Sequence, residues 1–146
     1  MTARADAGAR FEDARAFLAA AETIDALNDA ESYSDVIATL AVHAGIAASD
    51  AFCLLTLGQH SKSENHADAI NVLKSAGGDS ATLSRLLGEK TKAAYNVKSL
   101  TRAKATKCME WSVSCWPPPR RSTPSRESPA CSLTRSSRFP MNLSQA

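Results

Sequence analysis

Lys90 and Tyr95 stand five residues apart in the run Leu86-Leu87-Gly88-Glu89-Lys90-Thr91-Lys92-Ala93-Ala94-Tyr95. A cation and a phenol at that spacing can hold a phosphate and either donate a hydrogen bond or stack on a base. Beyond Glu89, every charged residue up to Lys107 is basic: Lys90, Lys92, Lys98, Arg102, Lys104 and Lys107. With Asn96, such a strip is a candidate nucleic-acid surface, the alternative being a solvated face. Lys90 also breaks a pattern. Leu83, Leu87, Lys90 and Ala94 share one helical stripe, and a bundle wants an apolar side chain where Lys90 falls. A conflict between local chemistry and global pattern marks a functional position.

Other reactive residue types are sparse. His43, His60 and His66 form no Glu-x-x-His and no His-x-x-x-His pair, and no Gly-rich phosphate loop is present. No metal and no cofactor are therefore expected. His43 and Asp50 share a face of one helix, either as a polar site or as a half-buried histidine beside a solvated acid. His66 falls in the first turn of a helix, where a cap or surface role is the default. Cys53, Cys108, Cys115 and Cys131 show no CxxC spacing, and Cys53 lies in an apolar helical run that makes it a core residue. Met1 to Glu12 has no apolar core, and no segment reaches the roughly 18 apolar residues of a membrane span. The expectation is a chain with reduced thiols in the cytoplasm and no membrane partner.

The elements that must position these residues are helices. Alanine is abundant, and aromatics make up only 5% of the 146 residues, which favours close-packed helices over sheets. A first helix runs from Ala7 or Ala9 to Leu27, with Phe11, Ala14, Leu18, Ala21 and Ile24 facing inward. A second opens near Ser32 or Ser34 and reaches Leu57, where Gly58 stops it. It is the most apolar segment and so the central helix. Its Ala41, Gly45, Ala48 and Phe52 form a small-residue groove suited to an intramolecular crossing or a dimer seam. A third helix begins at Ser63 and ends before Gly77-Gly78, with Ala67, Ile70 and Leu73 inward. A fourth runs from Asp79 or Ser80 to about Ala94, and Tyr95 to Lys98 form a joint. A fifth begins at Ser99 or Thr101 and fades between Met109 and Cys115.

Residues 1–116 are thus one helical domain, and 117–146 a separate tail. All six prolines stand at or after Pro117, among many serines and five arginines. That composition cannot bury enough apolar surface to offset its ordering entropy, so the tail is expected to be disordered. The abrupt change suggests a shifted reading frame in a high-GC source. Charge divides the chain as well: residues 1–89 carry six Lys/Arg against thirteen Asp/Glu, residues 90–146 eleven against two. An acidic front and a basic back point to self-association or to an anionic partner.

Two forms account for the basic region. In a helix-turn-helix, Leu83 to Gly88 would be the first helix and Val97 to Lys107 the recognition helix, with Thr101, Arg102, Lys104 and Lys107 facing DNA. The other form comes from resemblance. The alanine-rich first helix is followed by Val42-His43-Ala44-Gly45-Ile46-Ala47-Ala48-Ser49-Asp50-Ala51, by His66-Ala67-Asp68-Ala69, and by Leu86 through Tyr95. Over residues 8–115 this order resembles the HEPN domain family of small prokaryotic helical bundles. The resemblance implies an all-α bundle of four to five helices and a homodimer. It also implies an RNA- or nucleotide-binding role in defence or toxin–antitoxin systems, with a cognate protein partner. In active members an arginine and a histidine four to six residues apart cut RNA without metal; here Lys90 stands for the arginine and Tyr95 for the histidine. Lysine lacks the bidentate fork, and tyrosine titrates near pH 10, so the resemblance implies a binder without catalysis or with weak catalysis. A protein-interaction scaffold with no nucleic-acid role is the alternative of a different class. Within one straight helix, Lys90 and Tyr95 would stand about 140° apart. They could share a cleft only if the helix ends at Ala94.

Overall fold

The computed structural model describes residues 2–27, 29–95 and 100–116, and its architecture follows from where each helix can start and stop. Helix α1 (Ala3–Asp25) begins several residues before the expected Ala7 because the Thr2 side chain accepts from the Ala5 amide and caps it. A short 3₁₀ turn (Ala30–Tyr33) leads into α2 (Ser34–Leu57). Gly58, at φ +71°, takes the left-handed conformation that ends α2 where the sequence indicates. Helix α3 (His66–Ser75) starts later than Ser63. Ser63 Oγ accepts from the Asn65 amide and Asn65 Oδ1 accepts from the Ala67 amide, so the polar run is used up as a stepped cap. Helix α4 (Ser80–Tyr95) is fixed at its start by Asp79, which accepts from both the amide and the hydroxyl of Thr82. Helix α5 (Arg102–Ser114) is capped by the Thr101 hydroxyl. No strand occurs among the described residues, and the fold is an all-α bundle of five helices.

Helix α2 is the axis. Helix α1 lies along one side of it, α4 and α5 pack on the other, and α3 packs chiefly on α4. Its length and composition would suffice to cross a membrane, but most of its residues are covered by the other helices. Ala14, Leu18 and Ala21 of α1 are buried as their spacing predicts, with Ile37, Val42, Leu73, Leu83 and Leu86 among the other core residues. Ala67, expected to face inward, is exposed, and Ala76 is buried instead.

The small-residue groove is filled within the chain. A methyl built on Gly45 would stand 2.6 Å from Leu86 Cδ1, 3.6 Å from Ser112 Cα and 3.8 Å from Cys115 Sγ. Glycine there allows α4 and α5 to close on α2, so this face is not a seam for a second copy. The described chain ends on Trp116, whose ring meets Phe11 of α1 edge-on with centroids 5.2 Å apart. Residues 117–146, where the tail was expected, lie outside the described residues.

Candidate functional site

Helix α4 carries two faces of different chemistry, and the turn from Glu89 to Lys90 switches between them. The Leu87–Lys90–Ala94 stripe lines a cleft of about 490 Å³ between α2, α3 and α4. Ile46, Ala69, Leu87 and Ala94 give it apolar surface. Asp50 enters from α2, while Ser61, Ser63 and Glu64 come from the α2–α3 connection. His66, the first residue of α3, faces them together with Lys90 and Thr91. The cation that breaks the apolar stripe is therefore a wall of the cleft.

Asp50 is held in place from α1. Arg10 donates to Asp50 Oδ2 through Nη2 at 2.7 Å and Nε at 3.2 Å, and its Nη1 reaches Asp13 at 3.0 Å. On the other side His60 Nδ1 stands 3.8 Å from Asp50 Oδ1 and 3.0 Å from the Ser61 carbonyl. A carbonyl can only accept, so the imidazole carries a proton on Nδ1 and directs it at Ser61. Asp50 Oδ1 thus keeps acceptor capacity toward the cleft. Nothing local in the sequence shows the Arg10–Asp50 pair, because the two residues are forty apart.

His43 and Asp50 share the face of α2 turned to α1, as their spacing indicates. His43 stacks on Phe17 with ring centroids 5.2 Å apart and planes inclined by 26°. Burial, and then the charges of Lys90 and Arg10, push its imidazole below its ordinary value. A histidine held neutral by the fold stabilises it less once the unfolded chain can protonate. Stability linked to His43 is full above pH 6.5 and is lost as pH falls from there toward the lowered native value. Urea unfolding at pH 7.5 and 5.5 should show a smaller acid loss for His43→Phe than for the parent. Equal losses in the two chains would refute the assignment.

The other face of α4 binds its own bundle. Glu89 is buried at 5% exposure, and its Oε1 accepts from Lys92 and from Lys104 of α5, each at 3.1 Å. Burial alone would raise this carboxyl, but the hydrogen bonds from Lys104 and Lys92 outweigh it and hold it below the usual range. Lys104 also lies 5.4 Å from the centre of the Trp111 ring. Lys107 pairs with Glu110 at 2.9 Å. Arg102 reaches back to the end of α1, with Nε 3.5 Å from Asp25 Oδ1 and Nη2 3.0 Å from the Asp25 carbonyl. Four members of the basic strip are therefore matched by carboxylates, two of them on other helices. Among the described residues Lys90 makes no ion pair, and it alone of the strip lines the cleft. Asn96 and Lys98 lie outside the described residues.

Helix α4 does not stop at Gly88 or Ala94. It runs unbroken through Tyr95, so position 95 stands about 140° around the axis from position 90. Lys90 and Lys92 are also inside the helix, not in a turn, so the spacing set out for a helix-turn-helix is not adopted. Residues that sequence reasoning missed are Arg10, Ser61, Ser63 and Glu64. For Ser63 the cap-forming Ser-x-Asn pattern was the available signal. No protein-family model, curated protein or solved structure matches the chain.

Proposed function

We propose that this chain is a HEPN-like helical module that binds RNA or a nucleotide at the Lys90 cleft, without catalysis or with weak catalysis. The supporting observation is the contrast among its cations: Lys92, Arg102, Lys104 and Lys107 have carboxylate partners, whereas Lys90 has none among the described residues and faces the cleft. An ammonium beside hydroxyls and an imidazole is suited to a phosphate, and the apolar surface of Ile46 and Leu87 is suited to a base. The angle between positions 90 and 95 speaks for binding over cleavage by that pair. The resemblance supplies the rest of the proposal: a homodimer, a cognate protein partner, and a cytoplasmic defence or toxin–antitoxin setting. With the small-residue groove filled, a dimer would use the Lys90 face.

Fluorescence anisotropy with labelled single-stranded RNA tests this directly. One phosphate contact gives a slope of about −0.7 in log affinity against log salt, and a phosphate track over the whole strip would be several times steeper. Lys90→Ala should weaken binding about tenfold, the scale of one charge-assisted hydrogen bond. Lys107→Ala should leave binding unchanged. Absence of RNA and nucleotide binding in the folded chain would remove this function. The paired state of the strip favours one second reading, a protein-interaction scaffold, because four of its charges are already engaged. Its signature is a partner complex whose affinity barely changes with salt.

A further inference from the structure

We propose that the cleft recognises a ribonucleoside 5′-phosphate unit with a free 2′,3′-diol, and not the interior of an RNA strand. This rests on the binding role proposed above and narrows its ligand. The shared chemistry has two sources, a free nucleoside monophosphate or the 3′-terminal nucleotide of an RNA.

The charges around the cleft carry the inference. Among the described lining residues Lys90 brings the ammonium, while Asp50 and Glu64 both bring carboxylates to the same space. One phosphate can be matched by Lys90, with His66 adding a second donor. A second phosphate in a continuing strand would have to pass Asp50 or Glu64, where like charges repel. Carboxylates are instead acceptors for hydroxyl donors, and the free diol supplies two of them. Asp50 is preset for this, since Arg10 occupies Oδ2 and leaves Oδ1 with only the 3.8 Å approach of His60. Glu64 is exposed and makes no ion pair among the described residues, so its carboxylate is available.

Two further features agree. Ser61 Oγ accepts from the Ser63 amide at 3.3 Å, and Ser63 Oγ accepts from the Asn65 amide at 3.0 Å. Both hydroxyl protons therefore remain to be donated toward an anion. Among the described lining residues the ring is the His66 imidazole, taken up as a donor to the phosphate, and the apolar part is Ile46, Ala69, Leu87 and Ala94. A base would be held there by shape and apolar contact, with little preference among the four. A volume of about 490 Å³ lies in the range of small-molecule sites and suits one nucleotide unit.

The test uses the full chain and one RNA sequence in three forms: with a free 3′-hydroxyl end, with a 3′-phosphate, and closed into a circle. Binding to the free end should exceed binding to the other two about tenfold, the effect of one lost charge-assisted contact. Glu64→Gln, a change at an exposed position, should bring the free-end and 3′-phosphate affinities together. AMP should compete where adenosine and 2′,3′-dideoxy-AMP do not. AMP matching the RNA end in affinity would identify the free nucleotide as ligand, and a much tighter RNA end would identify the terminus. Equal binding of all three RNA forms would overturn the diol proposal and leave RNA binding standing. No binding of any RNA or nucleotide would overturn both.

Discussion

Replacing Leu86 with alanine will destabilise the bundle by about 3 kcal/mol, and adding Gly45→Ala will recover about 1 kcal/mol of that loss. Leu86 is fully buried, and its Cδ1 fills the space that the missing side chain of Gly45 leaves open. Truncation removes the transfer free energy of the side chain and leaves a void that three helices cannot close without moving. A methyl on residue 45 points into that void. In the parent background the same methyl meets Cδ1 at 2.6 Å, and the leucine must change rotamer to admit it. In the Leu86→Ala background the obstructing atom is gone, while alanine keeps its advantage over glycine inside a helix. The two changes are therefore coupled, and the double variant will be more stable than the sum of the singles. Urea titrations followed by circular dichroism, with unchanged m, measure all four corners. Simple additivity would mean that Gly45 and Leu86 are not in contact.

Loss of Arg10 is the second large effect. Asp50 has a side chain 13% exposed, and Arg10 supplies both close donors to its Oδ2. Removing one partner of a fully buried ion pair costs about 3–5 kcal/mol because the other charge is left without compensation. Arg10 is itself about one-third exposed, so the expected loss for Arg10→Ala is nearer 2 kcal/mol. Asp50→Asn introduced beside it should recover part of that loss by removing the stranded charge. The same unfolding assay reads both steps, and an unchanged midpoint for Arg10→Ala would show that the pair is solvated. Because Asp50 lines the cleft, ligand binding in Arg10→Ala should weaken even at temperatures where the chain stays folded. That separates positioning of the carboxylate from bulk stability.

The parts of this fold that are legible in the sequence are those decided by local chemistry. Gly58 ends α2 because a helix end is set by a residue that accepts positive φ. The start at Ser34 falls where expected without the expected cap: Tyr33 precedes it, and the Ser34 hydroxyl donates to the Glu31 carbonyl. The inward stripe Ala14, Leu18 and Ala21 follows from the helical period alone. What could not be read is that Glu89 turns inward as well as Lys90. The apolar stripe of α4 includes position 90 and gives no place to position 89. Glu89 is buried because α5 brings Lys104 to it across the bundle, and that meeting is a tertiary event. The pairing of the basic strip escapes the sequence for the same reason. Asp25 neutralises Arg102 from seventy-seven positions away, and no window on the sequence spans that distance. The end of α4 at Tyr95 falls within one residue of the expected Ala94. The cleft itself needs the α2–α3 connection to close over α2, and its serines carry no periodic signal.

Three free thiols lie inside the bundle, Cys53 on α2, Cys108 on α5 and Cys115 just beyond α5. Burial is the main cause that pushes each of them up to about 11. At neutral pH they are protonated and shielded, and the thiolate is the form that reacts. Chemical labelling at these positions therefore waits for the helices to part, and its rate reads the frequency of that opening. With Cys53 on the axis and the other two at its edge, the molecule carries its own clocks. Early labelling at 108 and 115 with 53 still silent would mean that α5 detaches before the centre melts.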